Sequence, residues 1–197
     1  MKKGIIFIIV FLMIGMVGMK KEKTVDEESA DLIEWLRDGQ TGERNAAVQV
    51  GSFFVSRRST VYGADCEGCT IKNGIGQTSS QIEVSIDSIR QRDGNWKKGF
   101  TYEGYYLVAA DALLPMCTVL KVSNHSYKGS GIEKGVPFYA LVVDRGSAVQ
   151  KNCIDLFAGK EKDPFIVHEA LDGAIVEIAG FLNYERNEDG RMQCAGE

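Results

Sequence analysis

Between Ala46 and Leu182 the apolar residues fall in short β-prone runs separated by glycine and polar turns: Val48 to Val55, Ile82 to Ile86, Tyr105 to Ala109, Thr118 to Val122, Pro137 to Val143 and Ala174 to Leu182. Runs this short satisfy their backbone groups only by pairing with one another, so many of them at such spacing point to a mainly β sandwich or small barrel. Helix is scarce here. The exception is Asp163 to Leu171, where Pro164 is placed to start two helical turns that Gly173 would stop. There is no internal repeat and no low-complexity tract. A chain of 197 residues supports one domain with a sizeable core plus extensions.

The expected layout is an export or anchor segment over 1–22, an amphipathic helix or linker over 23–45, a β domain over 46–183 and a polar tail over 184–197. Met1-Lys2-Lys3 gives a basic start, and Gly4 to Met19 is an uncharged run rich in Ile, Phe, Val and Met. That combination implies an extracytoplasmic protein, secreted or held at the membrane. A cleaved signal peptide and a retained anchor both fit. No small-x-small site is evident before Lys20-Lys21, which favours the anchor. Leu32, Ile33, Trp35 and Leu36 lie among Glu28, Asp31, Glu34 and Arg37, the pattern of a short amphipathic helix ending at Gly39. The tail should fray unless Cys194 ties it down.

A formal charge of −4 supplies no broad cationic field, so nucleic acid is excluded as the natural partner. Five cysteines, Cys66, Cys69, Cys117, Cys153 and Cys194, are an odd number in an exported chain, so at least one thiol is free or intermolecular. Cys66 and Cys69 lack the second ligand pair that a zinc site needs, and read as a structural pair or buried thiols.

Three aspartates end or interrupt apolar runs: Asp111 after Leu107-Val108-Ala109-Ala110, Asp144 after Leu141-Val142-Val143, and Asp155 within Cys153-Ile154-Asp155-Leu156-Phe157. A carboxylate flanked by aliphatic residues must be paired, hydrogen-bonded or protonated. Each one alone is equally well read as a turn cap. Together they form a candidate acid–base cluster, in which burial and mutual repulsion hold a proton on one member. His125, in a polar loop, is expected in solvent and His168 in local packing, and neither is assigned to catalysis.

Several stretches resemble the three-aspartate domain of bacterial wall-remodelling proteins, a family related to membrane-bound lytic transglycosylase A and to the resuscitation-associated stationary-phase proteins. Val108 to Thr118 is similar to the family's apolar run, Ala-x-Asp-Pro and Ile-Pro-Leu-Gly-Thr. Asp144 to Phe157 is similar, without a gap, to Asp-Thr-Gly-Gly-Ala-Ile-Lys-Gly-Asn-Arg-Ile-Asp-Leu-Phe. Thr60 to Cys69 resembles the opening strand and Cys-x-Gly-Cys turn, and Glu169 to Ile178 the closing segment.

The resemblance implies a double-psi β-barrel whose groove holds a peptidoglycan strand. It also implies a lytic transglycosylase, a lyase of cell-wall degradation, that cleaves the bond between N-acetylmuramic acid and N-acetylglucosamine and leaves a 1,6-anhydro end. Asp155 takes the role of acid and then base, Asp144 orients it and stabilises positive charge, and Asp111 fixes the geometry or holds a substrate hydroxyl. Thr118, Gly146, Ser147, Ala148, Gln150, Lys151 and Tyr106 are the expected substrate contacts. Neither metal nor organic cofactor is implied.

The family's Lys-Gly becomes Gln150-Lys151, its Arg becomes Cys153 and its Thr becomes Arg145. Ser79 to Gly104 and Asn124 to Gly135 stand as insertions that wall the groove or bind a partner. The alternative is a catalytically weak glycan-binding or scaffold module that retains the barrel.

Overall fold

The computed structural model describes residues 48–66 and 74–196, and over them the chain is mainly β with no helix. The expected export segment and amphipathic helix lie outside the described residues. The strands are β1 (Phe53–Val55), β2 (Arg58–Tyr62), β3 (Ile75–Gln77), β4 (Glu83–Ser85), β5 (Ser88–Arg90), β6 (Trp96–Lys98), β7 (Thr101–Tyr102), β8 (Tyr105–Ala110), β9 (Thr118–Ser123), β10 (Phe138–Asp144), β11 (Cys153–Phe157), β12 (Ile175–Phe181), β13 (Asn183–Arg186) and β14 (Met192–Ala195).

The main sheet runs β1-β12-β9-β10-β8-β11-β2, with β7 paired to β8. Its two outermost strands are consecutive in sequence, joined only by Ser56 and Arg57. Flat, seven strands would hold their edges roughly 29 Å apart, whereas the link from Val55 to Arg58 reaches about 11 Å. The sheet therefore curls into a half-barrel, and the link is pinned where the edges meet. Ser56 N donates to Ala174 O at 2.7 Å and Arg57 N to Asn152 O at 3.0 Å. The buried Ser56 hydroxyl also donates to Asn152 O, at 3.1 Å.

Alternation along the strands sends Val108, Leu120, Val142, Ile154, Leu156 and Ile178 to the inside of the curl, each fully buried. The outer face carries Tyr105, Leu107, Ala109, Thr60, Tyr62, Asp155 and Phe157. It is only partly covered: Leu107 and Phe157 are fully buried while Tyr139 is half exposed. A second antiparallel sheet, β3-β4-β5-β6, has its last three strands in the stretch read as an insertion, and Ile82, Val84 and Ile89 are buried there. Phe100, just after it, meets Phe157 with ring centroids 6.1 Å apart and Phe165 at 5.3 Å. Gly159, at φ +82, lies so close to this junction that a Cβ there would run into the Ile86 carbonyl and the Phe100 ring.

Two expectations are corrected. Asp163 to Leu171 forms no helix, because its backbone is claimed by neighbours. Val167 and Lys128 exchange both backbone hydrogen bonds, and the Ser126 hydroxyl accepts from Glu169 N and Ala170 N. Ile166 is fully buried there. His125 is buried rather than solvated, with Nε2 against Val136 O at 2.8 Å and its ring edge-on to Phe138. His168 packs as expected, edge-on to Tyr127.

The tail folds as the β13–β14 hairpin, stapled to the sheet by a disulfide between Cys117 and Cys194, 77 residues apart in sequence. Cys66 is also disulfide-bonded, and Cys153 is a free thiol.

Candidate functional site

Strand pairing brings the three aspartates to one region. On β8, Ala109 is in register with Asp155 of β11 on one side and, past a bulge after Val142, with Asp144 of β10 on the other. Asp111 follows two residues after Ala109 at the end of the same strand. The carboxylates thus flank the end of one central strand on the outer face, beside the second sheet.

Each carboxylate has a different environment. Asp155 is half-buried and accepts a 2.8 Å hydrogen bond from the Thr60 hydroxyl, its register partner on β2. Burial, the largest influence, pushes its pKa above the ordinary value. The Thr60 bond and the positive charge of Arg58 oppose that rise, Asp144 adds to it, and His168 opposes it. The result is a carboxyl group biased towards keeping a proton.

Asp144 gathers donors on one oxygen. Its Oδ1 accepts from Ser79 N at 2.9 Å, the Ser79 hydroxyl at 2.7 Å and Arg145 N at 2.8 Å. Asp111 accepts from Leu113 N on Oδ1 at 2.9 Å and from Lys151 N on Oδ2 at 2.5 Å. The connection from Arg145 to Lys151 is accordingly clamped at its start by Asp144 and at its end by Asp111.

Arg145 is no surface partner of a carboxylate. Its guanidinium donates to Leu114 O at 2.5 Å, Asp144 O at 3.0 Å and Ala110 O at 3.3 Å, holding the loop after β8 against the end of β10. Burial lowers its pKa, while the charges of Asp111 and Asp144 push it back up.

Of the expected substrate contacts, Gly146, Ser147, Ala148, Gln150 and Lys151 are exposed on the connection clamped by Asp111 and Asp144. Gln150 folds back, donating to Ser147 O at 2.9 Å. Thr118 is fully buried with its hydroxyl donated to Pro115 O, so no surface remains to it for substrate. Tyr106 alternates to the face opposite Asp155, packs edge-on to Phe138 and donates to Ser130 O at 2.8 Å. Neither joins the aspartates.

Two residues that the sequence reading left unassigned do join them: Thr60 and Ser79. Thr60 is the register partner of Asp155, a relation visible in the sequence once β2 is placed beside β11. Ser79 carried no signal, since its loop reaches Asp144 from 65 residues away. No family model, curated protein or solved structure matches the chain.

Proposed function

We propose that the chain is an extracytoplasmic lytic transglycosylase acting on peptidoglycan, with the curled sheet as a double-psi β-barrel. The observation that carries this reading is the asymmetry across Ala109: Asp155 half-buried with its proton favoured, and Asp144 held by three donors. Acid–base catalysis by one group needs that asymmetry, because the acid must start protonated while its neighbour is held in place to stabilise positive charge.

Asp155 donates its proton to the glycosidic oxygen as the bond from C1 of the muramoyl residue breaks. The muramoyl 6-hydroxyl then attacks C1 and returns its proton to Asp155. No water is consumed, and the products are a free hydroxyl on one side and a 1,6-anhydro ring on the other. Asp144 stabilises positive charge developing at C1. Asp111 holds the connection from Arg145 to Lys151, whose exposed residues are positioned to contact the glycan. The disulfides suit an oxidising, extracytoplasmic setting, with Gly4 to Met19 as the membrane or export element.

A second reading, a glycan-binding module with little turnover, draws on one specific observation. Asp111 and Asp144 both have structural work as loop clamps, which accounts for their presence without catalysis. Incubating the full chain in detergent with purified peptidoglycan separates the two. Soluble muropeptides that disappear with Asp155→Asn support the enzyme; co-sedimentation with the wall and no release support the module.

A further inference from the structure

At the end of β8 opposite the aspartates, a groove of about 300 Å³ opens on the outer face of the main sheet. It is lined by Tyr105 of β8, Val119 of β9, Tyr139 of β10 and the stretch from Ala179 to Leu182 along and just past β12. None of these residues is charged. Tyr139 is 50% exposed and Phe181 44%, so two large rings at one groove stand open to solvent. Single apolar residues scattered over a surface are ordinary, whereas rings gathered round one concavity of ligand size mark a surface suited to being covered.

The chain carries a cover close at hand. The described residues start at Val48, which is buried, and a turn in which Ser52 N donates to Gln49 O leads at once to β12. There Gly51 N donates to Ile178 O and Ile178 N to Ser52 O, both at 2.8 Å. The chain therefore enters the fold beside Ile178, one residue before the groove's lining begins at Ala179. Upstream, Val25 apart, the large apolar residues between Lys20 and Ala47 are Leu32, Ile33, Trp35 and Leu36. An uncharged lining suits these four and not the flanking stretches, which hold Glu27 and Glu28 on one side and Asp38, Glu43 and Arg44 on the other. The link from Leu36 to Val48 reaches up to about 40 Å when extended, ample for a groove that starts next to the point of entry.

We propose that the segment 31–37 docks in this groove, with Leu32, Ile33, Trp35 and Leu36 against Tyr105, Tyr139 and Phe181. The groove lies at Tyr105, whereas Asp155 is in register with Ala109, four residues or about 13 Å further along β8. Docking then orients the domain: with Gly4 to Met19 as the membrane element, which rests on the reading given above, the Tyr105 end of β8 faces the membrane and the aspartate end faces away from it. The contact itself requires neither a membrane nor a glycan.

The test is photo-crosslinking of the full chain in detergent, with benzoylphenylalanine in place of Tyr139 and a mixture of isotopically light and heavy copies. Mass spectrometry should show position 139 joined to residues 31–37 of the same copy. Joins between light and heavy copies, to detergent or to another part of the chain would overturn the proposal, as would no join at all. Limited trypsin digestion gives a second readout, because Arg37 lies in the segment and Arg44 outside it. Tyr139→Ser with Phe181→Ser removes two half-exposed rings and should speed cleavage after Arg37 by about tenfold while leaving cleavage after Arg44 unchanged. Equal rates after Arg37 in the two folded proteins would also overturn it. Neither measurement uses peptidoglycan, so failure of the transglycosylase reading would leave the docking standing, and the reverse.

Discussion

Removing the Cys117–Cys194 disulfide tests how the tail is held to the sheet. The bridge closes a loop of 77 residues running from the start of β9 to β14, and with it the strands bearing Asp144 and Asp155. Chain-entropy reasoning gives about 15 cal/mol/K for a loop of that length, or about 4.5 kcal/mol at 25 °C. Native bridges commonly deliver about 2–4 kcal/mol, because the unfolded chain keeps some structure. Cys117 is fully buried and Cys194 nearly so, which makes Cys117→Ala with Cys194→Ala the cleanest perturbation, leaving no buried thiol behind.

The loss should be about 2–4.5 kcal/mol in urea melts, and the melting temperature should fall by about 5–15 °C. Hydrogen exchange should rise first in β13 and β14, the hairpin that the bridge ties to the main sheet. A double variant within 0.5 kcal/mol of the wild type, with the hairpin still protected, would show that the tail is held by packing and would refute this account of it.

Four further outcomes follow from the same geometry. Asp155→Asn should abolish muropeptide release and make the fold more stable at neutral pH. The raised folded-state pKa means that Asp155 contributes stability below its unfolded pKa and loses it as pH rises through the folded one, so the advantage of Asn fades in acid; denaturant melts across pH check this. Asp144→Asn should lower the release rate by about 100-fold with fold retained, measured as initial rates. Ser79→Ala takes a hydroxyl donor from Asp144 and should cost about tenfold in rate, the low end for a hydrogen bond to a charged group. Gly159→Ala forces a side chain into a positive φ and against the Ile86 carbonyl, and should destabilise by about 2–5 kcal/mol in urea melts.

The mainly β class was legible because short apolar runs leave few other ways to bury themselves, and β8, β9, β10 and β12 match the stretches marked by that pattern to within a residue at either end. The meeting of Asp144 and Asp155 was legible only as a consequence of strand ends. Their register across Ala109 depends on a bulge in β10 that no local residue pattern signals. The helix expected from Asp163 to Leu171 failed because Lys128 and Ser126, distant in sequence, capture the same backbone groups.

Thr118 was assigned to substrate by similarity, and Tyr106 as an aromatic available for sugar stacking. Strand alternation puts Tyr106 on the face away from Asp155, and burial takes Thr118 from the surface. Thr60 and Ser79 escaped notice because a hydroxyl residue in a strand or turn is ordinary until the carboxylate it faces is known.

In the proposed reaction Asp155 cleaves a glycan without water. Digestion of purified peptidoglycan by the full chain in heavy-oxygen water, followed by mass spectrometry of the released muropeptides, tests it most directly. The account predicts 1,6-anhydromuramoyl ends carrying no heavy oxygen, absent from the Asp155→Asn digest. Reducing muramoyl ends that carry the label would contradict it and mark the protein as a hydrolase.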